Sequence, residues 1–131
     1  MRSSPLLRRG FTLIELLIVV VIIGILATIA IPKFANTKGK AIQASMVSDL
    51  RNIASAQEGY FYEKSTYTTT LADLSFTPSS NVTITITSAD GAGWAGVATS
   101  PLLPGRTCGL FMGTVLAPTA PAVNEGQVRC Q

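Results

Sequence analysis

The sequence predicts an α+β protein in which a long N-terminal helix packs on a small antiparallel sheet of about three to four strands. Three patterns carry that prediction. Residues 11–31 form an unbroken apolar run, Ile42, Met46, Leu50, Ile53 and Phe61 recur at helical spacing, and residues 81–87 alternate threonine with Val82, Ile84 and Ile86. The first pattern has the length of a membrane span, the second the stripe of an amphipathic helix, and the third the two-residue period of a half-buried strand.

A hydrocarbon core about 30 Å thick needs roughly 20 helical residues, so the run that opens at Phe11 is long enough to cross it. Past Pro32 the apolar positions thin to the stripe, with Lys38, Lys40, Asp49, Arg51 and Asn52 between them, which predicts that the helix continues as an amphipathic half to about Glu63. Gly24 and Pro32 are expected to interrupt the first half, because proline lacks the backbone N–H and crowds the preceding turn. Residues 60–78 show no sustained period and read as a loop with a short turn at residues 70–73. The strand at residues 81–87 is followed by a turn at Asp90-Gly91-Ala92-Gly93 and a second strand over residues 94–100. A third strand starts near Thr107 and carries Cys108, Leu110, Met112 and Val115, whereas the Pro- and Ala-rich tail over residues 117–131 predicts no long regular element. The expected shape is a ladle, with the outer half of the helix on one sheet face and the C-terminal loop pinned across it.

The 131 residues leave room for one membrane helix and one small domain, which is marginal for a self-sufficient core. Cys108 and Cys130, the only cysteines, lie in a Thr-, Gly- and Pro-rich region resembling exported domains. One disulfide is the natural reading, two separate buried thiols the alternative. The formal charge of +3 is concentrated ahead of Gly10: Arg2, Arg8 and Arg9 precede it, all seven acids follow it, and without them the balance is seven against seven. A nucleic-acid-binding surface is therefore not supported. The chain contains no histidine, so the common triads, the usual general base and a zinc shell built on two cysteines all lack support, and no cofactor, metal site or enzyme activity is expected.

A secretory signal places its apolar region before the cut, but here the basic residues and Gly10 come first. Arg8-Arg9-Gly10, then Phe11-Thr12-Leu13-Ile14-Glu15, an apolar helix, Gly24 and Pro32 together resemble a type IV prepilin. The resemblance implies a leader over residues 1–10, cleavage by a prepilin peptidase between Gly10 and Phe11, and N-methylation of Phe11. It further implies an assembly helix over residues 11–32, an amphipathic helix over residues 33–63 entering the globular part, and over residues 64–131 the loop, sheet and disulfide-bounded C-terminal loop of the pilin fold. The stretch between Gly24 and Pro32 is implied to loosen in the filament. The subunit would wait in the inner membrane, meet the pilus assembly machinery there, and join a homopolymer on the cell surface serving adhesion, twitching motility or DNA uptake. The alternative is a pseudopilin of a type II secretion system. Orientation rests on the cysteines and the resemblance, because Arg2, Arg8 and Arg9 on one side of the span face Lys33, Lys38 and Lys40 on the other.

Glu15 is the one charged residue in the span, and an acid retained there calls for a partner. Cleavage would create an ammonium on Phe11, and methylation keeps it charged. In a bundle staggered by one axial step, that amine of one subunit reaches Glu15 of a neighbour, with a gross attraction of about 4 kcal/mol at 4 Å and an effective dielectric near 20. Lipid is as apolar as Ile or Val, so packing and charge matching rather than hydrophobicity select the register. Returning the aliphatic side chains to water would cost tens of kcal/mol at roughly 2 each, so growth and shrinkage are expected only at the membrane base.

Three smaller signals remain. Asn81-Val82-Thr83 fits a glycosylation sequon and equally a strand start; Gly91-Ala92-Gly93 lacks the surroundings of a dinucleotide site and reads as a turn; the aromatic residues read as packing rather than a path for electrons.

Overall fold

A computed structural model describes residues 10–114 and 120–131. The leader ahead of Gly10 and the proposed strand residue Val115 lie outside the described residues. The elements are α1 (Leu13–Lys64), a 3-10 turn (Leu71–Leu74), and strands β1 (Thr83–Ala89), β2 (Gly93–Thr99), β3 (Thr107–Gly113) and β4 (Arg129–Cys130). The expected α+β class is borne out. The chain divides between Asn36 and Thr37 into two compact units.

In the N-terminal unit the helical assignment runs unbroken through Gly24 and Pro32. Pro32 thus lies within the helix rather than at its end. A single proline withdraws one ladder hydrogen bond, and the good helix formers and aliphatic residues around it keep the remaining ones.

In the second unit α1 lays its stripe on the sheet. Met46, Leu50 and Ile53 are fully buried and join Val82, Ile84, Ile86, Trp94, Ala98, Cys108 and Leu110 in one core. The strands form an antiparallel meander in the order β1-β2-β3-β4. Sequence alternation sends Val82, Ile84 and Ile86 inward while Thr83, Thr85 and Thr87 stay exposed, as read from the pattern. Trp94 is the largest fully buried side chain, and its ring fills space a side chain at position 96 would need: a Cβ on Gly96 would sit 3.2 Å from Trp94 Cζ3. Gly113, at φ +71°, meets a different demand, since Thr114 N–H donates to Ala92 O across the β2–β3 end and leaves no room for a side chain.

Asp49 corrects the sequence reading. Placed above among the polar residues between the stripe positions, it is in fact buried, and its carboxylate accepts from Ser79 N–H at 2.7 Å and from Ser79 Oγ at 2.9 Å. It thereby ties the turn before β1 to the helix. Gln57, also fully buried, donates to Thr68 O and accepts from Thr68 N–H, at 2.7 and 3.1 Å. Tyr67 stacks on Phe61 with centroids 4.7 Å apart and donates to Glu58 at 3.0 Å. Burial, with the hydrogen bond to Glu58 second, raises the Tyr67 phenol above its usual range. The loop after α1 is thus latched to its last turns by polar bonds. Asp49→Ala should strip the acceptor from two Ser79 donors and cost about 3 kcal/mol, read as a lower urea midpoint at unchanged slope.

Cys108 and Cys130 are joined by a disulfide, and they are direct register partners across β3 and β4. Flanking backbone bonds between Thr107 and Gln131, both at 3.0 Å, extend this short pairing. A crosslink closing a 22-residue separation is worth roughly 3 kcal/mol in the chain-entropy model. Replacing both cysteines by serine should lower the melting temperature by roughly 15 °C, measurable by calorimetry.

Candidate functional site

The apolar helix and its tip form the candidate site. From Phe11 to Phe34 every large apolar side chain is exposed, Phe11 at 83%, Leu13 at 82% and Ile31 at 69%. The most apolar stretch of this helix has no buried residue. The helix is apolar all round, long enough to cross a membrane, and uncovered within this unit. Such a surface belongs in lipid or against other apolar helices.

Three polar side chains interrupt residues 11–31, namely Thr12, Glu15 and Thr28, and each is hydrogen-bonded to a residue three or four positions away in the same stretch. Thr28 Oγ1 donates to Gly24 O at 2.9 Å, hiding its hydroxyl from an apolar medium. At the tip, Thr12 and Glu15 form a reciprocal cap. Thr12 N–H donates to Glu15 Oε2 at 2.8 Å, Thr12 Oγ1 donates to the same oxygen at 2.7 Å, and Glu15 N–H donates back to Thr12 Oγ1 at 3.3 Å. This is a capping box, with Thr12 preceding the first helical residue and Glu15 three positions on. It closes two backbone donors that would otherwise lack an intrahelical partner, and it places an anion at the positive end of the helix dipole.

The structure therefore gives Glu15 a role that charge matching alone did not require. Its carboxylate is held at the tip by Thr12, whose importance the sequence reading missed; the Thr-x-x-Glu signature ahead of an apolar run was the signal that points to it. A carboxylate offers about four acceptor sites, so the cap leaves capacity for a cation placed beside it. Phe11 stands immediately before the cap, and Gly10 is exposed, with no described residue within 4 Å of a Cβ built on it. Gly10, Phe11, Thr12 and Glu15 thus gather at one end of the helix, whereas Gly24 and Pro32 lie along it and Cys108 and Cys130 lie in the sheet.

Residues 7–31 match the prokaryotic N-terminal methylation motif. The chain carries an N-terminal methylation segment. Its relatives include the type IV major pilin PilA of Myxococcus xanthus, 46% identical over 70 residues, which is 53% of this chain and 32% of that protein. They also include type II secretion system core proteins G: that of Klebsiella michiganensis is 43% identical over 63 residues, 48% of this chain and 44% of the relative. That of Escherichia coli K12 is 40% identical over 63 residues, 48% of this chain and 43% of the relative. The alignments span less than half the length of each of these relatives. Resemblance to the prepilin N-terminus is borne out by the methylation segment and by relatives of both kinds, pilin and pseudopilin.

Proposed function

We propose that the chain is a structural subunit of a type IV pilus. In this reading residues 1–10 are a leader removed by a prepilin peptidase, Phe11 is N-methylated, and residues 11–32 form the helix through which subunits polymerise. Residues 33–63 carry the helix into the globular part, and residues 64–131 supply the sheet and the disulfide-bounded loop. The observation that carries the reading is a carboxylate fixed by Thr12 at the tip of an otherwise apolar, uncovered helix. Cleavage after Gly10 puts a cation on Phe11, next to that tip. Within one chain the cation adds little, since it sits at the positive end of its own helix dipole. Offered to the carboxylate of a copy displaced by one step, it chooses a register that interchangeable Ile, Val and Leu contacts do not.

Before assembly the helix rests in the inner membrane, where it meets the assembly machinery; afterwards it is packed against copies of itself in a surface filament. Because both environments are apolar, transfer between them is close to neutral in hydrophobic energy, and specific contacts decide. The disulfide across β3 and β4 supports an extracytoplasmic globular part. Adhesion, motility or DNA uptake would be properties of the whole fibre.

A second reading, a pseudopilin of a type II secretion system, is favoured by the matches to core protein G. Electron microscopy of material sheared from the cell surface, with mass spectrometry of the fibres, separates the two. Long fibres containing this chain from methylated Phe11 onward support the pilus. Their absence, together with a secretion defect on deletion, supports the pseudopilin.

A further inference from the structure

We propose that Asn81 is the acceptor of an N-linked glycan. Asn81-Val82-Thr83 has the Asn-x-Ser/Thr form with a residue other than proline in the middle. Its setting adds what the triplet alone does not supply. Asn81 and Thr83 are exposed, while Val82 between them is buried in the core. Among the described residues neither the Asn81 carboxamide nor the Thr83 hydroxyl has a hydrogen-bond partner, so the fold does not use the two side chains that define the sequon.

The backbone presents them on a fixed turn. Val82 N–H donates to Ser79 O at 3.0 Å, and Asn81 adopts φ +64°, which asparagine tolerates better than most residues. Ser79 is clamped by the buried carboxylate of Asp49. The acceptor thus stands on an anchored, solvent-facing corner. The inference rests on the reading that this domain lies outside the cytoplasm, which the disulfide in the same sheet supports and where surface sequons are modified.

The position also answers a need of the sheet. β1 is an edge strand, and its residues, Thr-Ile-Thr-Ile-Thr-Ser-Ala, include no charge and no proline. Edges of that kind invite pairing with other chains unless something blunts them. A bulge between Ile86 and Ser88 disrupts the register toward the far end. A sugar on Asn81 would shield the near end with a bulky hydrophilic group.

The transfer itself is a substitution at carbon. Asn81 Nδ2 attacks C1 of a sugar carried as a glycosyl diphosphate; the N–C1 bond forms as the C1–O bond breaks, the electron pair leaves with the diphosphate, and an amide proton passes to a base of the transferase.

The test is mass spectrometry of the full chain purified from the organism that makes it. The peptide containing Asn81 should carry the added mass of at least one sugar, and a peptide amidase should release the glycan, leaving an aspartate. Asn81→Gly keeps the left-handed turn and should abolish the modification; Thr83→Val keeps a strand-favouring residue and should also abolish it, whereas Thr83→Ser should retain it. An unmodified Asn81 peptide throughout the natural protein would overturn the proposal, as would sugar found only on threonine hydroxyls or a glycan that persists in Thr83→Val. None of these outcomes depends on whether the filament is a pilus.

Discussion

Glu15→Ala is expected to leave cleavage after Gly10 intact while surface filaments disappear. Two effects of the carboxylate must be separated, because it caps its own helix and is proposed to hold the amine of another copy. Losing a capping interaction costs typically about 1 kcal/mol, and the exposed bonds at 2.7 and 2.8 Å from Thr12 belong to that class. A charge pair at the interface is worth more: from a gross attraction of about 4 kcal/mol, a net loss near 3 kcal/mol lowers the association constant of each added subunit roughly a hundredfold. Glu15→Gln decides between them. Its carboxamide oxygen still accepts from Thr12, so the cap survives while the charge is gone. If register is set by charge, Gln behaves like Ala; if capping suffices, Gln forms normal fibres. Thr12→Val supplies the converse, a charged acid with half its cap removed, and should assemble with a modest defect. Filament yield in the sheared fraction, compared with N-terminal sequencing of the membrane fraction, reads all three. Abundant normal fibres from both Glu15 variants would end the charge-matching account.

Much of the architecture was legible because it follows one-dimensional periods. The stripe of Met46, Leu50 and Ile53 and the alternation of Val82, Ile84 and Ile86 each state which face is buried, and they meet in one core. What could not be read depends on partners distant in sequence. Asp49 looks like any solvent-facing acid until Ser79, thirty residues later, arrives to bond it. Gln57 is likewise uninformative without the Thr68 backbone. β4 spans two residues, too few for any pattern, and exists because a disulfide and its flanking backbone bonds hold it to β3. Pro32 lies inside a helix that runs on to Lys64, as the apolar stripe beyond the proline indicated. At the site, the apolar span and the lone Glu15 are plain in the sequence, whereas the cap that Thr12 provides depends on a local geometry shared by many Thr-x-x-Glu segments.

Gly10→Val is expected to block maturation completely without disturbing the fold. The structural half of that expectation rests on open space: Gly10 is exposed, and among the described residues a Cβ built there meets nothing within 4 Å. Nor does Gly10 belong to the helix, which starts at Leu13 with Thr12 as its cap. A valine therefore leaves the capping box, the apolar helix and the sheet as they were. Any loss must arise where a peptidase grips the chain, and there a branched side chain beside the scissile bond hinders both the attack on the Gly10 carbonyl and the close approach of an active-site backbone. The precursor should accumulate in the membrane with its leader attached, its domain folded and its disulfide formed, and no methylated Phe11 should be found. Circular dichroism and thiol titration check the fold; N-terminal sequencing checks the cut. Gly10→Ala, with a single added methyl group, should be processed more slowly yet still mature. The uncleaved chain also keeps an amide at Phe11 in place of an ammonium, so it lacks the cation that Glu15 of a neighbouring copy would bind. Gly10→Val and Glu15→Ala should consequently share one phenotype, absent fibres, while differing in the N-terminus recovered from the membrane. Maturation of the valine variant at the normal rate would remove Gly10 from the site and leave the tip of the helix without its processing step.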